Sequence, residues 1–492
     1  MIKPFIIKEV VMGNKQGLLK TEDWWSVWLG LFIFILSLGS LVGLDLLGWA
    51  VTPKVWTAFS KSIAPASKAY AGLHPLISII LTYLAVMAIL LVGAKALGYN
   101  LKKFIYGFTV IFWLTYICTI VGHYAVIAAQ TPAEMKKFEL DWSLKLTGEA
   151  GLILALLVGL FIGNFMPKFA DSLKEAARPE WFIKTAIVIM GVGLGVKSAE
   201  QLGLATSMMF RGLCAIIEAY LIYWAVVYLI ARKFFKFSRE WSAPLASGIS
   251  ICGVSASIAT GGAIRARPIV PIMVSSLVVI FAVVELIILP FVATEFLSNQ
   301  PLVAGAWMGL AVKTDGAAVA SGQIVESLIY ARNAAQGINY QPGWVVGAAT
   351  TVKIFIDIFI GIWAFILAVI WTTKINPKQG VEAKAGEIWD RFPKFVIGYF
   401  VTFLIMLIIG LNWPDIKSQL KISAAESDVF RKLFFALTFF SIGLASNFKK
   451  LWEEGIGKLM LVYIIALFGF IIWVGLIISW IFFQGVVPPL VQ

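Results

Sequence analysis

The feature that most restricts this chain is a succession of apolar runs, each about 20 residues long, separated by short polar loops. A helix needs about that length to cross a ~30 Å hydrocarbon core. Lipid offers backbone amides and carbonyls no partner, so each run must satisfy its own hydrogen bonds, which a helix does. The runs lack the short polar–apolar alternation of a transmembrane barrel. Candidate spans lie near 24–49, 75–97, 104–129, 147–166, 182–197, 206–231, 242–262, 267–294, 301–322, 343–372, 392–412, 428–447 and 457–484, about 13 transmembrane helices in all. Composition agrees: 60% of residues are hydrophobic and 14% charged, where a soluble domain has about half and about a quarter. The fold class expected is an all-α polytopic membrane protein.

A formal charge of +13 raises the question of nucleic acid. The Lys and Arg residues are scattered through the loops, where anionic lipid and the positive-inside bias account for them. The expected partner is the lipid bilayer, and no nucleic acid. The tail after Phe483 has no basic residue and is placed outside. Counting back puts the loops with Lys449, Lys450 and Lys458, with Lys374, Lys378, Lys384 and Arg391, with Arg232, Lys233, Lys236 and Arg239, and with Lys168, Lys174 and Arg178 inside. The N-terminus, with Lys3, Lys8, Lys15 and Lys20, is then cytoplasmic, while Lys417, Lys421, Arg431 and Lys432 fall outside. The opening MIKPFIIKEVVMGNKQG has no cleavable signal. The location expected is a bacterial-type inner membrane.

Cys118, Cys214 and Cys252 sit in apolar stretches without CxxC spacing, which fits small buried hydrophobes better than a disulfide or a zinc site. There is no HExxH, P-loop or GxSxG elbow. We therefore expect no cofactor, no metal and no enzyme. His74 and His123 are expected near the membrane interface. The chain divides near residue 140 into an accessory N-terminal bundle of three helices (1–140) and a ten-helix core (141–492). Ile189–Lys197 (IMGVGLGVK) echoes Phe440–Asn447 (FSIGLASN) on helices of opposite direction, as an inverted repeat would.

Three constellations in the core could carry chemistry. Ser247–Ser257 (SGISICGVSAS) packs four serines and two glycines into an apolar span. A break there would free N–H groups at a half-helix N-terminus and suit an anion; a small-residue packing face is the plainer alternative. Gly309–Gly322 (GLAVKTDGAAVASG) puts Lys313 and Asp315 mid-span, where a charge needs a partner or a wet cavity. Thr350–Asp357 (TTVKIFID) sets Lys353 and Asp357 on one helical face, able to pair with each other or with Lys313 and Asp315. Glu149, Glu218 and Glu285 stand alone in apolar helices, as proton relays or as neutral packing groups.

At these motifs the chain resembles the YeiH-type family of bacterial membrane proteins, proposed as sulfate exporters, over about residues 147–484. Gly248-x-Ser250-Ile251-Cys252-Gly253-x-Ser255-Ala256 matches that family's GxSICGxSA stretch. Gly151–Asn164 is similar to its opening core helix, Val352-Lys353 to its VKL, Phe392–Gly398 to its FPWFVLG and Ala436–Leu444 to its late helix. Lys313 stands where the family has His, Ala317 where it has Gln and Ile356 where it has Arg. The resemblance implies a secondary transporter that exports a small anion such as sulfate or a related oxyanion or organosulfur anion. The alternative is a proton- or cation-coupled carrier of a neutral or zwitterionic organic solute. Substrate-binding residues are expected at Ser250, Cys252, Gly253, Ser255, Lys313, Thr314, Ser321 and Lys353. Asp315, Asp357 and Glu218 are expected to take a coupling proton or cation. A homodimer stays open.

Overall fold

The computed structural model describes residues 17–129, 132–144, 150–200, 202–253, 255–267, 269–375, 393–446 and 457–491. Lys3, Lys8, Lys15, Glu149, Lys378, Lys384, Arg391, Asn447, Lys449 and Lys450 lie outside the described residues. The protein is all-α and polytopic. Among the described residues nine helices are long and apolar enough to cross a bilayer, and a tenth candidate span is bent by 118°.

In chain order we number α1 Glu22–Ser37, α2 Pro75–Ala96, α3 Leu101–Gly122, α4 Ala150–Phe165, α5 Pro167–Leu173 and α6 Pro179–Glu200. There follow α7 Leu202–Phe234, which includes π-helical turns, α8 Arg239–Ser250, α9 Ser255–Ala263, α10 Ile269–Leu297, α11 Pro301–Ala311 and α12 Asp315–Ala334. The last are α13 Trp344–Ile375, α14 Lys394–Asn412, α15 Lys417–Ala445 and α16 Gly457–Phe483. A two-stranded antiparallel ribbon, β1 Val51–Pro53 with β2 Ile63–Pro65, sits between α1 and α2.

Two of the expected spans are not spans. Residues 242–262 and 301–322 fold as re-entrant helical hairpins. In the first, Thr260 Oγ1 donates to Ser247 Oγ at 2.6 Å across thirteen residues; one continuous helix would hold them about 20 Å apart. The mouth of this α8–α9 hairpin is tied by Arg267 to Glu240 at 3.0 Å. In the second, Asn333 Nδ2 donates to Ser298 O at 2.9 Å, which brings the end of α12 back beside the start of α11. Gly485 N donates to Gln300 Oε1 at 3.0 Å, so this α11–α12 hairpin opens on the face that carries the end of α16. The 29 residues of α10 run about 44 Å between the two hairpins. The α8–α9 hairpin therefore opens on the opposite face. The physical reason is local: Ser, Gly and Cys at 250–253 and Val312-Lys313-Thr314 leave each helix half-made, and the polar tips are satisfied by each other.

Around these hairpins the helices form two bundles. In the first, α6 packs against α1, α14 and α15, α4 against α15, and α3 against α4. The three helices of 1–140 thus lie directly on this bundle. In the second, α11 and α12 pack on α13, α11 on α16, α12 on α10, α9 on α13 and α8 on α7. Between the bundles, contacts are sparser and lie mainly between α6 and α7, α12 and α13, and between α15 and α10 and α12.

The echoing glycine segments are close-packing faces in the first bundle. A Cβ on Gly195 would lie 2.8 Å from Met406 Cβ on α14. One on Gly443 would lie 2.7 Å from Leu160 N on α4. Small residues let helix backbones approach in lipid, and both segments are used in this way.

Candidate functional site

The tips of the two hairpins meet. Gly253 N donates to Lys313 O at 2.7 Å. A Cβ on Gly253 would lie 2.3 to 3.3 Å from Val278 and Thr314, so only glycine lets this backbone come so near. Helix α12 starts just past the contact, capped by Thr314 Oγ1, which accepts from Ala317 N at 3.2 Å. Its first residue is Asp315. Ser255 opens α9 at the other tip.

The third constellation joins them from α13. Lys353 Nζ donates to Ile251 O at 2.7 Å and lies 3.5 Å from Asp315 Oδ1. Of the pairings open in the sequence, the partner exchange between constellations is the one formed. Cys252 Sγ donates to Asp315 Oδ1 at 2.8 Å. Cys252 Sγ and one carboxylate oxygen each of Asp315 and Asp357 lie within 4.8 Å of one another. Lys353 and Asp315 are each 2% exposed and Asp357 1%. Breaking a buried pair of this kind by removing one partner costs about 3–5 kcal/mol, because the other charge is left uncompensated.

Lys313 turns the other way. Its Nζ donates to Leu310 O and lies 4.6 Å from the Tyr223 ring centroid, a cation–π contact. Its backbone N donates to Glu285 Oε2 at 3.1 Å, and Tyr463 OH donates to Glu285 Oε1 at 3.0 Å. Tyr223 OH donates to Ile471 O at 2.7 Å, and Glu218, the second residue of the π-helical turn Ile217–Tyr223, is fully buried. The crossing thus carries charge on both sides: Lys353 with Asp315 and Asp357, and Lys313 with Glu285 and Glu218. Ser250 and Ser321 are buried, and neither hydroxyl has a hydrogen-bond partner among the described residues.

Glu285 was singled out only as a lone acid, and Tyr223 and Tyr463 not at all. A tyrosine inside an apolar span was the available signal, since a buried hydroxyl seeks a partner. His74 and His123 sit at helix ends, capping α2 and following α3. Cys118, Cys214 and Cys252 are free and buried.

A cleft of about 640 Å³ opens between the bundles on the face where the α11–α12 hairpin opens. Lys197, Lys421, Arg431 and Lys432 line it together with Glu200, Glu326 and Asp428. Glu326 is committed to the start of α13, accepting from Gly343 N at 2.7 Å and Val345 N at 2.9 Å. Arg431 reaches across from α15 to Gln323 Oε1 on α12 at 3.1 Å. The sequence reading gave this group of basic residues no role.

Known proteins share this chain's pattern. A family model described as conserved hypothetical protein 698 matches residues 112–462. A UPF0324 membrane protein of Nitrosomonas europaea is 45% identical over 480 residues, covering 96% of this chain and 98% of that one. An uncharacterized protein of Archaeoglobus fulgidus is 47% identical over 185 residues, 33% of this chain and 97% of that protein. A UPF0324 membrane protein of Nitratidesulfovibrio vulgaris is 26% identical over 410 residues, 81% of this chain and 63% of the relative. With the family model covering most of the chain, and the Nitrosomonas relative matching it nearly end to end, the chain belongs to the UPF0324 family of multi-pass membrane proteins.

Proposed function

We propose that this protein is a secondary transporter of a small anion, with sulfate or a related oxyanion or organosulfur anion as the substrate class, exchanged against or carried with a proton or cation. The observation that carries this is the meeting of two re-entrant hairpins, opened to opposite faces, around a buried Lys353–Asp315 pair. Interrupted backbone at bilayer depth is tolerated only where protein or a wet cavity surrounds it, and it is a common way to build a solute site at the midplane. A tip entered from one face and a tip entered from the other give each face its own gate.

The sparse contact between the bundles suits rigid motion of the hairpin bundle against the bundle that contains α1–α3. The cleft on one face, where four bases outnumber three acids, would admit the anion between the bundles. At the tips, the N-termini of α9 and α12 and the hydroxyls of Ser250 and Ser255 would hydrogen-bond it. Asp315 and Asp357 would take the coupling ion and release Lys353 to meet the substrate. The cytoplasmic N-terminus, outward C-terminus and inner-membrane location read from the loops belong to this proposal, as do a homodimer and the absence of catalysis.

The test is radiolabelled sulfate or sulfite uptake and efflux in proteoliposomes. Wild-type protein is expected to exchange the anion, and Lys353→Ala to lose exchange while still inserting. Unchanged transport by Lys353→Ala would remove Lys353 from the site. A second reading has its own support: Lys353 is already neutralised by Asp315, which suits a neutral or zwitterionic solute. Competition by amino acids, and not by oxyanions, would select it.

A further inference from the structure

The hairpin crossing holds a cluster that the salt bridge alone does not use up. Asp315 is served by Lys353 and by the Cys252 thiol. Asp357 shares the Lys353 charge only through space: it is 1% exposed, and neither carboxylate oxygen has a hydrogen-bond partner among the described residues. A buried carboxylate without a partner is costly, because desolvation is not repaid by any donor. Its oxygen faces the Asp315 oxygen and the Cys252 sulfur, all within 4.8 Å.

That spacing has a simple meaning. Two carboxylate oxygens no more than 4.8 Å apart can both touch one cation between them, of the size that bonds oxygen at about 2.4 Å. Charge sets the valence. Asp315 and Asp357 bring two negative charges and Lys353 one positive charge, so a single monovalent cation balances the group. Lys184, the next lysine on the first bundle, is taken by Asp23 at 3.4 Å and Glu180 at 3.7 Å. Lys313 is turned toward Leu310 O and Tyr223. Lys184 therefore acts on the cluster only at a distance, and among the described residues no lysine besides Lys353 pairs with Asp315 or Asp357. The chemistry of the donors sets the kind of ion. Carboxylate oxygens are hard ligands, as are the tip carbonyls, which keep a second lone pair beside their bonds to Lys353, Ala256 and Ser257, and hard cations prefer them. The thiol donates its proton to Asp315 and holds that carboxylate in place, so it is a positioning group and not a ligand.

We propose that Asp315, Asp357 and the unwound tip at Ile251–Gly253 bind one sodium ion, held between the two hairpins and the middle of α13. This rests on the proposal that the crossing is the coupling centre, and it names the coupling ion. Sodium would draw the Asp315 oxygen away from Lys353, whose ammonium keeps Ile251 O as its partner.

The experiment is done on the full chain in detergent, without any substrate anion. Thermal unfolding is followed at constant ionic strength in sodium, potassium and choline chloride, and bound 22Na+ is counted by equilibrium dialysis. The expected result is about one sodium per chain and a saturable rise in Tm of about 3–5 °C, seen with sodium and not with potassium or choline. Asp357→Asn should melt normally in choline and lose the sodium response. Cys252→Ser should keep it, because serine can still donate to Asp315. Equal melting in all three salts with no retained 22Na+ overturns the proposal, whether or not Asp357→Asn folds. So does a sodium response that survives Asp357→Asn. A larger rise with zinc or cadmium that vanishes in Cys252→Ser also overturns it, since the thiol would then be a ligand of a soft ion. Anion transport that persists without sodium binding sinks this inference alone. Sodium binding in a protein that moves no anion sinks the transport proposal and supports the site.

Discussion

The two bundles are both apolar helix assemblies, yet they are held together by different means. In the first, α6, α14 and α15 are continuous, and glycines such as Gly159, Gly195 and Gly443 bring the backbones of α4, α6, α14 and α15 into contact. Ring contacts run through it from Tyr83 to Phe112 and from Phe108 to Phe182 and Phe434. In its interior the polar contacts include hydroxyl bonds, such as Ser37 to Ser423 at 2.9 Å and Thr402 to Val188 O at 2.8 Å, while its ion pairs, such as Lys184 with Asp23 at 3.4 Å, keep partly exposed side chains. In the second, two hairpins stop half-way, and the break is filled by Lys353, Asp315, Asp357 and Cys252. Packing alone would not select such an arrangement, because well-packed apolar residues are often as stable as a buried ion pair. The difference teaches where to look for function: stability resides in the glycine-packed bundle, and the expensive chemistry is concentrated at the tips.

The largest effect that would break this contrast comes from Lys353. Lys353→Met should destabilise the protein by about 3–5 kcal/mol, because Asp315 is left buried with a charge and no lysine. Adding Asp315→Asn should recover much of that loss, since both charges are then gone. Transport should stay lost in the double variant. Unfolding in detergent and exchange in proteoliposomes measure the two parts separately. If stability and transport recover together, the pair is structural and the contrast fails.

Next comes a change in the other bundle. Gly443→Ala forces a Cβ to within 2.7 Å of Leu160 N. Backbone cannot yield as a side chain can, and overpacking costs about 1–3 kcal/mol. Tm should fall, with transport per folded molecule staying within about twofold of wild type. A specific loss of transport without loss of Tm would show that the first bundle takes part in the chemistry.

Much of this was legible in the sequence. The apolar runs fixed the fold class, and the stretches at 247–257 and 309–322 carried enough Gly, Ser and charge inside apolar surroundings to mark both interruptions. Lys353 and Asp315 could be named for the same reason: a buried charge needs a partner. That the interruptions are hairpins was not legible. A run of about 20 apolar residues reads the same whether the chain crosses or turns back, because length and hydropathy carry no direction. What reveals the turn back is Thr260 on Ser247, a contact between two residues whose small side chains give no hint of each other. The basic cleft was hidden likewise, since Lys197, Lys421 and Arg431 come from α6 and α15 and meet only in space.

A moderate prediction separates tip from shaft within the second bundle. Thr314→Ala removes the cap on α12, which loses the bond to Ala317 N. The cost should be about 1 kcal/mol. Amide exchange should speed up at Lys313–Ala318 and leave the α11 shaft unchanged. Uniform loosening along α11 and α12 would mean that the tip is not an independent element.

The smallest effect is expected at the mouth of the α8–α9 hairpin. Arg267 meets Glu240 at 3.0 Å, but its side chain is 66% exposed. Water and salt screen such a pair, and the long side chains lose entropy in making it, so a contribution of about 0.2–1 kcal/mol is usual. Arg267 N also donates to Glu240 Oε1 at 2.7 Å, a bond that any residue at 267 keeps. Arg267→Gln should therefore change Tm by about 1 °C or less. A double-mutant cycle with Glu240→Gln should give a coupling energy below about 1 kcal/mol. A coupling several times larger, insensitive to salt, would move the seat of the hairpin's stability from its buried tip to its exposed mouth, and with it the division of labour drawn between rigid shafts and charged tips.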